Sequence, residues 1–210
     1  TSKTSEVQKL EENLKSIFVN QSKIAKFLGP DNILIWQQEK TEEFLRNYPA
    51  IAKLKIEKDY FNRQVKIEIQ EREKFGVWCA NQFQEVRPPE IDGQYLGGRT
   101  SQTLCFWFDK SGALFAEAPA MEGELINKIY DSTGREFKPG DKILEENLLG
   151  NLLKIFEVLQ KSELLMKNLY LQDLSLQEVI VQSPQSPKIY FSLRFNPEFT
   201  LSAIKSLKEQ

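Results

Sequence analysis

The sequence predicts an α+β protein: an αβ domain first, then a mixed β-sheet domain with a long packing helix. Two segments alternate apolar and charged residues with period two, the mark of half-buried strands. Ala52, Leu54 and Ile56 stand against Lys53, Lys55 and Glu57, and Val65, Ile67 and Ile69 against Lys66, Glu68 and Gln70. Leu144, Leu148, Leu149, Leu152, Phe156 and Leu159 instead follow the helical period, in what should be the longest helix of the chain. The texture changes from Phe75, and the 210 residues are read as two domains over 1–73 and 74–210.

Helix comes first. Ser5 followed by Gln8 fits a capping box, and Val7, Leu10, Leu14 and Ile17 recur at helical spacing. Residues 24–28 form a short amphipathic helix that Gly29-Pro30 stops. The apolar run 33–36 reads as extended, and 41–47 as another short helix with Phe44 and Leu45 inward, ended by Tyr48-Pro49. The two alternating strands then form a hairpin turning through 59–63, its charged face toward water. Its core should hold Leu10, Leu14, Ile17, Phe44, Leu54, Ile56, Ile67 and Ile69. A two-stranded sheet is marginal alone, so a further strand is expected before Thr1.

The second domain opens with the strand 77–80. Residues 81–103, with Pro88-Pro89, Asp92-Gly93 and Gly97-Gly98, read as a long structureless excursion. Segments 104–108 and 113–116 flank the turn Asp109-Lys110-Ser111-Gly112. Strands are expected at 125–130, 169–171, 179–181 and 189–195, the last with Ile189, Phe191, Leu193 and Phe195 inward. Pro197 opens a terminal helix with Leu201, Ile204 and Leu207 inward.

Composition narrows the chemistry. The chain has no histidine, which removes Ser-His-Asp and Cys-His catalysis and His-ligated metals. Two cysteines make neither a four-thiolate metal site nor a CxxC pair. Lys plus Arg number 28 and Asp plus Glu 30, which argues against binding nucleic acid by phosphate neutralisation. Apolar stretches such as 33–36 and 164–166 are far shorter than the roughly 20 residues a bilayer needs. The opening Thr-Ser-Lys-Thr-Ser has neither an initiator methionine nor a signal-peptide pattern, and the chain is expected to be a piece of a longer protein.

Candidate sites have bland readings beside the sharp ones. Glu71 and Glu73 share a side of the strand end and could do acid–base work, but no apolar pocket is evident around them. Residues 109–112 lack the spaced oxygen ligands of a calcium loop and read as a turn. Gly97-Gly98-Arg99-Thr100 could cradle an anion but lacks a strand-to-helix context. Trp36, Trp78 and Trp107, with 14 phenylalanines, suit core packing better than base stacking. Cys79 and Cys105 each sit in a short apolar strand beside aromatics. If those strands pair in an extracytoplasmic setting the two can form a disulfide; otherwise they are two buried thiols.

The run Tyr48-Pro49-Ala50-Ile51-Ala52-Lys53-Leu54-Lys55-Ile56, followed after a turn by Val65-Lys66-Ile67-Glu68-Ile69-Gln70-Glu71-Arg72-Glu73, resembles a pattern of the FtsQ/DivIB bacterial cell-division proteins. There it forms the last helix and two strands of a POTRA domain. Cys105-Phe106-Trp107-Phe108-Asp109-Lys110-Ser111-Gly112-Ala113-Leu114-Phe115 is similar to the hairpin that opens that family's β domain. The order that follows is similar too: strand, long helix, three strands, helix. Lys74 stands where the family usually has proline.

The resemblance implies a POTRA-like domain over 1–73, its first strand upstream, and a β domain over 74–210, its closing strands downstream. It implies a non-enzymatic divisome scaffold, without catalytic residues, metal or cofactor. This would be the extracytoplasmic part of a single-pass cell-membrane protein anchored upstream of Thr1. The partners implied are other divisome membrane proteins, FtsB/DivIC-like and FtsL-like, and no nucleic acid. They bind in the family by strand pairing, which here points to Lys188, Tyr190, Ser192 and Arg194 on the last strand. The alternative is a POTRA-type periplasmic module of an outer-membrane assembly or secretion system. A single such unit followed by a different domain favours the division protein.

Overall fold

The computed structural model describes residues 2–86, 98–119, 126–162, 168–182 and 188–208. Helices and strands contribute in similar measure, with one antiparallel and one mixed sheet, so the α+β class holds. The chain divides into two compact units, Thr1–Arg72 and Glu73–Gln210, one residue from the boundary expected.

The first unit runs α1 (Ser2–Asn20), α2 (Lys23–Leu28), α3 (Thr41–Asn47), β1 (Ile51–Asp59) and β2 (Gln64–Glu71). At 19 residues α1, not the apolar helix near residue 150, is the longest helix. It starts at Ser2, so Ser5 lies inside it rather than at a cap; no glycine or proline interrupts the first turns. Ser22 caps α2 by accepting from the Ala25 N–H at 3.0 Å, and Gly29 ends it with φ +77°.

The run at 33–36 is not extended. The Asn32 side chain accepts from the Leu34 N–H and nucleates a 3-10 turn over Ile33–Ile35, which Gln21 pins by donating to the Ile35 carbonyl at 2.7 Å. This folds Ile35 and Trp36 into a core with Leu14, Phe18, Ala25, Phe44, Ile51 and Leu54. Phe18 stacks obliquely on Trp36 at 5.0 Å, and Phe44 on Tyr48 at 4.4 Å. Leu10, Ile17, Ile56 and Ile67 are only partly buried around it.

The hairpin pairs Leu54 with Ile69, Ile56 with Ile67 and Lys55 with Glu68. Leu54 is buried while Lys53 and Lys55 face water, as the alternation requires. An irregularity between Ile51 and Lys53 lets Ile51 and Leu54, three residues apart, both point inward. Ile69 departs from expectation: it faces the core side yet is exposed. The helical layer packs on β1, and no residue of β2 is fully buried.

The second unit is a seven-stranded sheet in the order β5-β4-β3-β6-β7-β8-β9. Its strands are β3 (Gly76–Val86), β4 (Gly98–Phe108), β5 (Leu114–Glu117), β6 (Asn127–Asp131), β7 (Asn168–Leu171), β8 (Glu178–Val181) and β9 (Ile189–Ser192). β6 runs parallel to both β3 and β7, and the others pair antiparallel. Parallel neighbours need a crossover, which α4 (Glu146–Lys161) supplies between β6 and β7.

The apolar stripe of α4 covers one sheet face. There the paired row Trp78, Ile129, Leu169, Val181 and Ile189 meets Leu152, Ile155, Phe156 and Leu159. Gly76 is required where it stands, because a Cβ would meet the Asn127 carbonyl at 2.7 Å and the Phe108 ring at 2.8 Å.

Three expectations for this unit are corrected. Residues 81–86 and 98–103 are not structureless: they extend β3 and β4 as a paired ribbon, from Gly76 opposite Phe108 out to Val86 opposite Gly98. A ladder that grows from a buried stem needs no apolar face of its own, so the lack of periodicity misled; the expected loop's middle, 87–97, lies outside the described residues. The last strand ends at Ser192, and Phe195 is 71% exposed, not inward. The chain bends because Asn196 caps a 3-10 turn over Pro197–Phe199, which leads into α5 (Thr200–Lys208). The strand expected from 125 begins at Asn127, and 125 itself lies outside the described residues.

Candidate interaction edge

β9 closes one end of the seven-stranded sheet, and among the described residues no strand lies beyond it. Its register on β8 is Ile189 opposite Val181, Tyr190 opposite Ile180, Phe191 opposite Val179 and Ser192 opposite Glu178. The Leu193 N–H donates to the Gln177 carbonyl at 2.7 Å. Backbone groups in an antiparallel ladder alternate in direction, so Phe191 and Ile189 also bond β8. Tyr190 and Ser192 therefore turn their N–H and C=O groups toward the open edge.

Several contacts hold this edge still. Asn151 of α4 donates to the Leu193 carbonyl at 2.7 Å, and Phe191 and Leu193 are buried. Arg194 donates to the Leu176 carbonyl at 3.4 Å, and its own N–H donates to the Ser192 hydroxyl at 3.2 Å. Leu176 sits on a 3-10 turn, Leu174–Leu176, capped by Asp173. The Ser175 hydroxyl and backbone N–H hold the Asp173 carboxyl below the usual carboxylate range.

The edge carries apolar surface that a monomer normally hides. Tyr190 is 60% exposed, and Leu176, whose carbonyl Arg194 reaches, and Phe195 are exposed too, with the exposed charges Lys188 and Arg194 at the two ends of the strand. Of Lys188, Tyr190, Ser192 and Arg194, expected together from the sequence, Tyr190 and Ser192 lie in β9, with Ser192 half-buried, while Lys188 precedes the strand and Arg194 follows it. The exposed Leu176, Phe195 and Phe199 were missed. Phe199 falls two residues from Leu201, off the Leu201–Ile204 stripe of the terminal helix, which was a readable sign that it points outward.

The sheet face away from α4 leads to this edge. Cys105, Cys79, Tyr130, Tyr170, Ile180 and Tyr190 are successive cross-strand partners, so they form one row over six strands. Tyr130 and Tyr170 stack with ring centroids 5.1 Å apart. Burial, with Tyr130 nearby, pushes the Tyr170 hydroxyl up. Cys79 and Cys105 are joined by a disulfide, their Cα atoms 4.0 Å apart across the β3–β4 pair.

The other candidates lead elsewhere. The Asp109 carboxylate accepts from the Ser111 N–H, the Ser111 hydroxyl and the Ala113 N–H, which shapes the β4–β5 turn. Glu71 and Glu73 are exposed. Gly98, Arg99 and Thr100 belong to β4, not to a loop at a helix start, and Gly97 lies outside the described residues. Trp36 and Trp78 are buried, and Lys74 lies over the Trp107 ring at 4.7 Å. A groove of about 870 Å³ borders the start of α4, with Leu144, Leu148 and Leu153 below Lys110, Arg135 and Lys142. Lys142 is engaged there, donating to the Ser111 carbonyl and hydroxyl. Among the described residues no cluster of acidic or thiol groups could hold a metal ion.

No family model, no curated protein and no solved structure matches this chain.

Proposed function

We propose that this chain is a non-enzymatic scaffold of bacterial cell division, the extracytoplasmic part of a single-pass membrane protein. It holds other division proteins by accepting an extended segment along the β9 edge. One observation carries the reading: among the described residues no strand pairs with the outward backbone groups of Tyr190 and Ser192, and exposed Tyr190, Phe195 and Leu176 lie close by in the chain or its contacts. Backbone pairing would supply affinity and the apolar neighbours selectivity. The resemblance of segments 48–73 and 105–115 to FtsQ/DivIB proteins gives the partner class, FtsB/DivIC-like and FtsL-like extracytoplasmic segments.

The test is titration of such a segment against Ser192→Pro and Tyr190→Ala chains. Proline at 192 removes an outward donor and spares the β8 ladder, so folding should survive. Affinity should fall about ten-fold or more for Ser192→Pro. Unchanged affinity in both folded variants overturns the edge as the partner surface.

A further inference from the structure

The first unit has its own unexplained apolar surface, and it is arranged differently. In α2 two of the three large apolar side chains point away from the core: Phe27 is 89% and Ile24 72% exposed, while Ala25 is buried and Leu28 packs partly buried against the core. Leu34, in the following turn, is exposed as well. The tip of the β1–β2 hairpin repeats the pattern, with Phe61 fully exposed and Tyr60 64% exposed. A six-residue helix that turns Ile and Phe to water is not explained by packing.

The charges around these side chains identify what they meet. Lys23 and Lys26 interleave with Ile24 and Phe27, and α2 contains no acidic residue. At the hairpin tip Lys58 and Arg63 flank Tyr60 and Phe61. The nearby carboxylates are engaged: Asp59 accepts from the Phe61 and Asn62 N–H groups, and Glu57 pairs with Lys55. Residues 1–72 hold 13 basic against 11 acidic side chains, whereas residues 73–210 hold 15 against 19.

We infer that α2 and the hairpin tip are two contact points by which the first unit rests on an anionic lipid bilayer. Ile24, Phe27 and Phe61 enter the headgroup boundary, and Lys23, Lys26, Lys58 and Arg63 meet lipid phosphates while their stems lie along the apolar surface. A protein groove fits less well, because lysine is depleted where protein interfaces are fully buried. The inference does not rest on the cell-division reading.

The experiment is flotation of the full 210-residue chain with two kinds of vesicle: phosphatidylcholine alone, and an equimolar mixture with phosphatidylglycerol. The chain should float with the anionic vesicles and much less with the neutral ones. Ile24→Ser with Phe27→Ser should lower partitioning about ten-fold or more, and Phe61→Ser should lower it less. Lys23→Glu with Lys26→Glu should weaken the preference for phosphatidylglycerol, and adding Lys58→Glu with Arg63→Glu should remove it. All these positions are exposed, so circular dichroism should show an unchanged fold. Failure of the unaltered chain to float overturns the inference, as does indifference to the Ile24 and Phe27 changes. A dimer in solution that those changes dissolve, without vesicle binding, assigns the patch to a second copy and overturns it equally.

Discussion

The two sheets of this molecule meet water in opposite ways. In the hairpin of the first unit one face is a lattice of charge: Lys55 pairs with Glu57 along β1, Lys66 with Glu68 along β2, and the strands place Lys55 opposite Glu68. Exposed pairs of this kind contribute little to stability. The seven-stranded sheet buries side chains on both faces of its central strands, Trp78 and Ile129 toward α4, Val77 and Cys79 away from it. A sheet with one wet face relies on the few large side chains beneath it; one buried on both faces has many small contributions and a covalent link besides. The same loss should therefore hurt the two units differently.

The sharpest break in that comparison is Phe44→Ala. Phe44 is fully buried, stacked on Tyr48, in a core with Leu14, Phe18, Ile35 and Trp36. Its removal should cost about 3–5 kcal/mol, enough to unfold a small unit. Fluorescence should report loss of Trp36 burial, while the near-ultraviolet signal of Trp78 persists. Loss of both signals together would mean that the chain unfolds as one body.

The reciprocal experiment is reduction of Cys79–Cys105. Their sequence separation is 26, and a loop of that size is worth about 3–4 kcal/mol on the chain-entropy account. Denaturant unfolding with a thiol reductant should shift the midpoint of the second unit and leave the Trp36 transition in place. An unmoved second transition would show that the ladder already fixes this ribbon.

A smaller effect follows from Asp131, which is 2% exposed in β6. Its carboxylate accepts from the Trp78 indole N–H at 3.2 Å, from Arg135 at 2.8 Å and from the Thr133 N–H and hydroxyl. Arg135 also donates to the Ile143 carbonyl, tying the approach to α4 to the sheet. Asp131→Ala leaves a buried indole donor without a partner and should cost about 1–3 kcal/mol. Hydrogen exchange should show faster opening of residues 132–145 and no change in the first unit.

How much of this was legible follows the same division. Strict alternation over 52–57 and 65–70 fixed the hairpin faces, because each strand has one wet side. The helical stripe from Leu148 to Leu159 was equally plain, because α4 also has one apolar face; Leu144, expected to head it, instead precedes the helix, which starts at Glu146. Signals failed where tertiary structure replaced periodicity. Ile33, Leu34 and Ile35 looked like a strand until the Asn32 cap and Gln21 wound them into a turn. Residues 81–86 and 98–103 had no apolar rhythm, yet the stem at Cys79 and Cys105 carried the ladder outward. Phe195 kept the alternation of its strand, but the strand had already ended at Ser192. The last strand drew attention only through the family resemblance, and its place at the end of the sheet came from the topology; the exposed Leu176 came from a different segment and could not be placed beside it from sequence.

The slightest effect concerns the hairpin tip, where the first unit stands most alone in water. Asp59 accepts from the N–H groups of Phe61 and Asn62 at 3.0 Å and from the Asn62 side chain at 2.7 Å, while Arg63 takes the left-handed conformation with φ +52°. These bonds, the Asn62 N–H first, hold the Asp59 carboxyl below the usual carboxylate range. A carboxyl depressed by folding stabilises the turn above its unfolded value and loses that contribution as pH falls through its lower folded value. The tip should therefore stay ordered at neutral pH and loosen only in strong acid. The amide signals of Phe61 and Asn62 should shift there, with the seven-stranded sheet unaffected. Asp59→Ala should give the acid behaviour at every pH, whereas Asp59→Asn, which keeps an accepting oxygen, should abolish the pH dependence and preserve much of the order. If Asp59→Asn loosens the tip as much as Asp59→Ala, the charge and not the accepting geometry holds the turn.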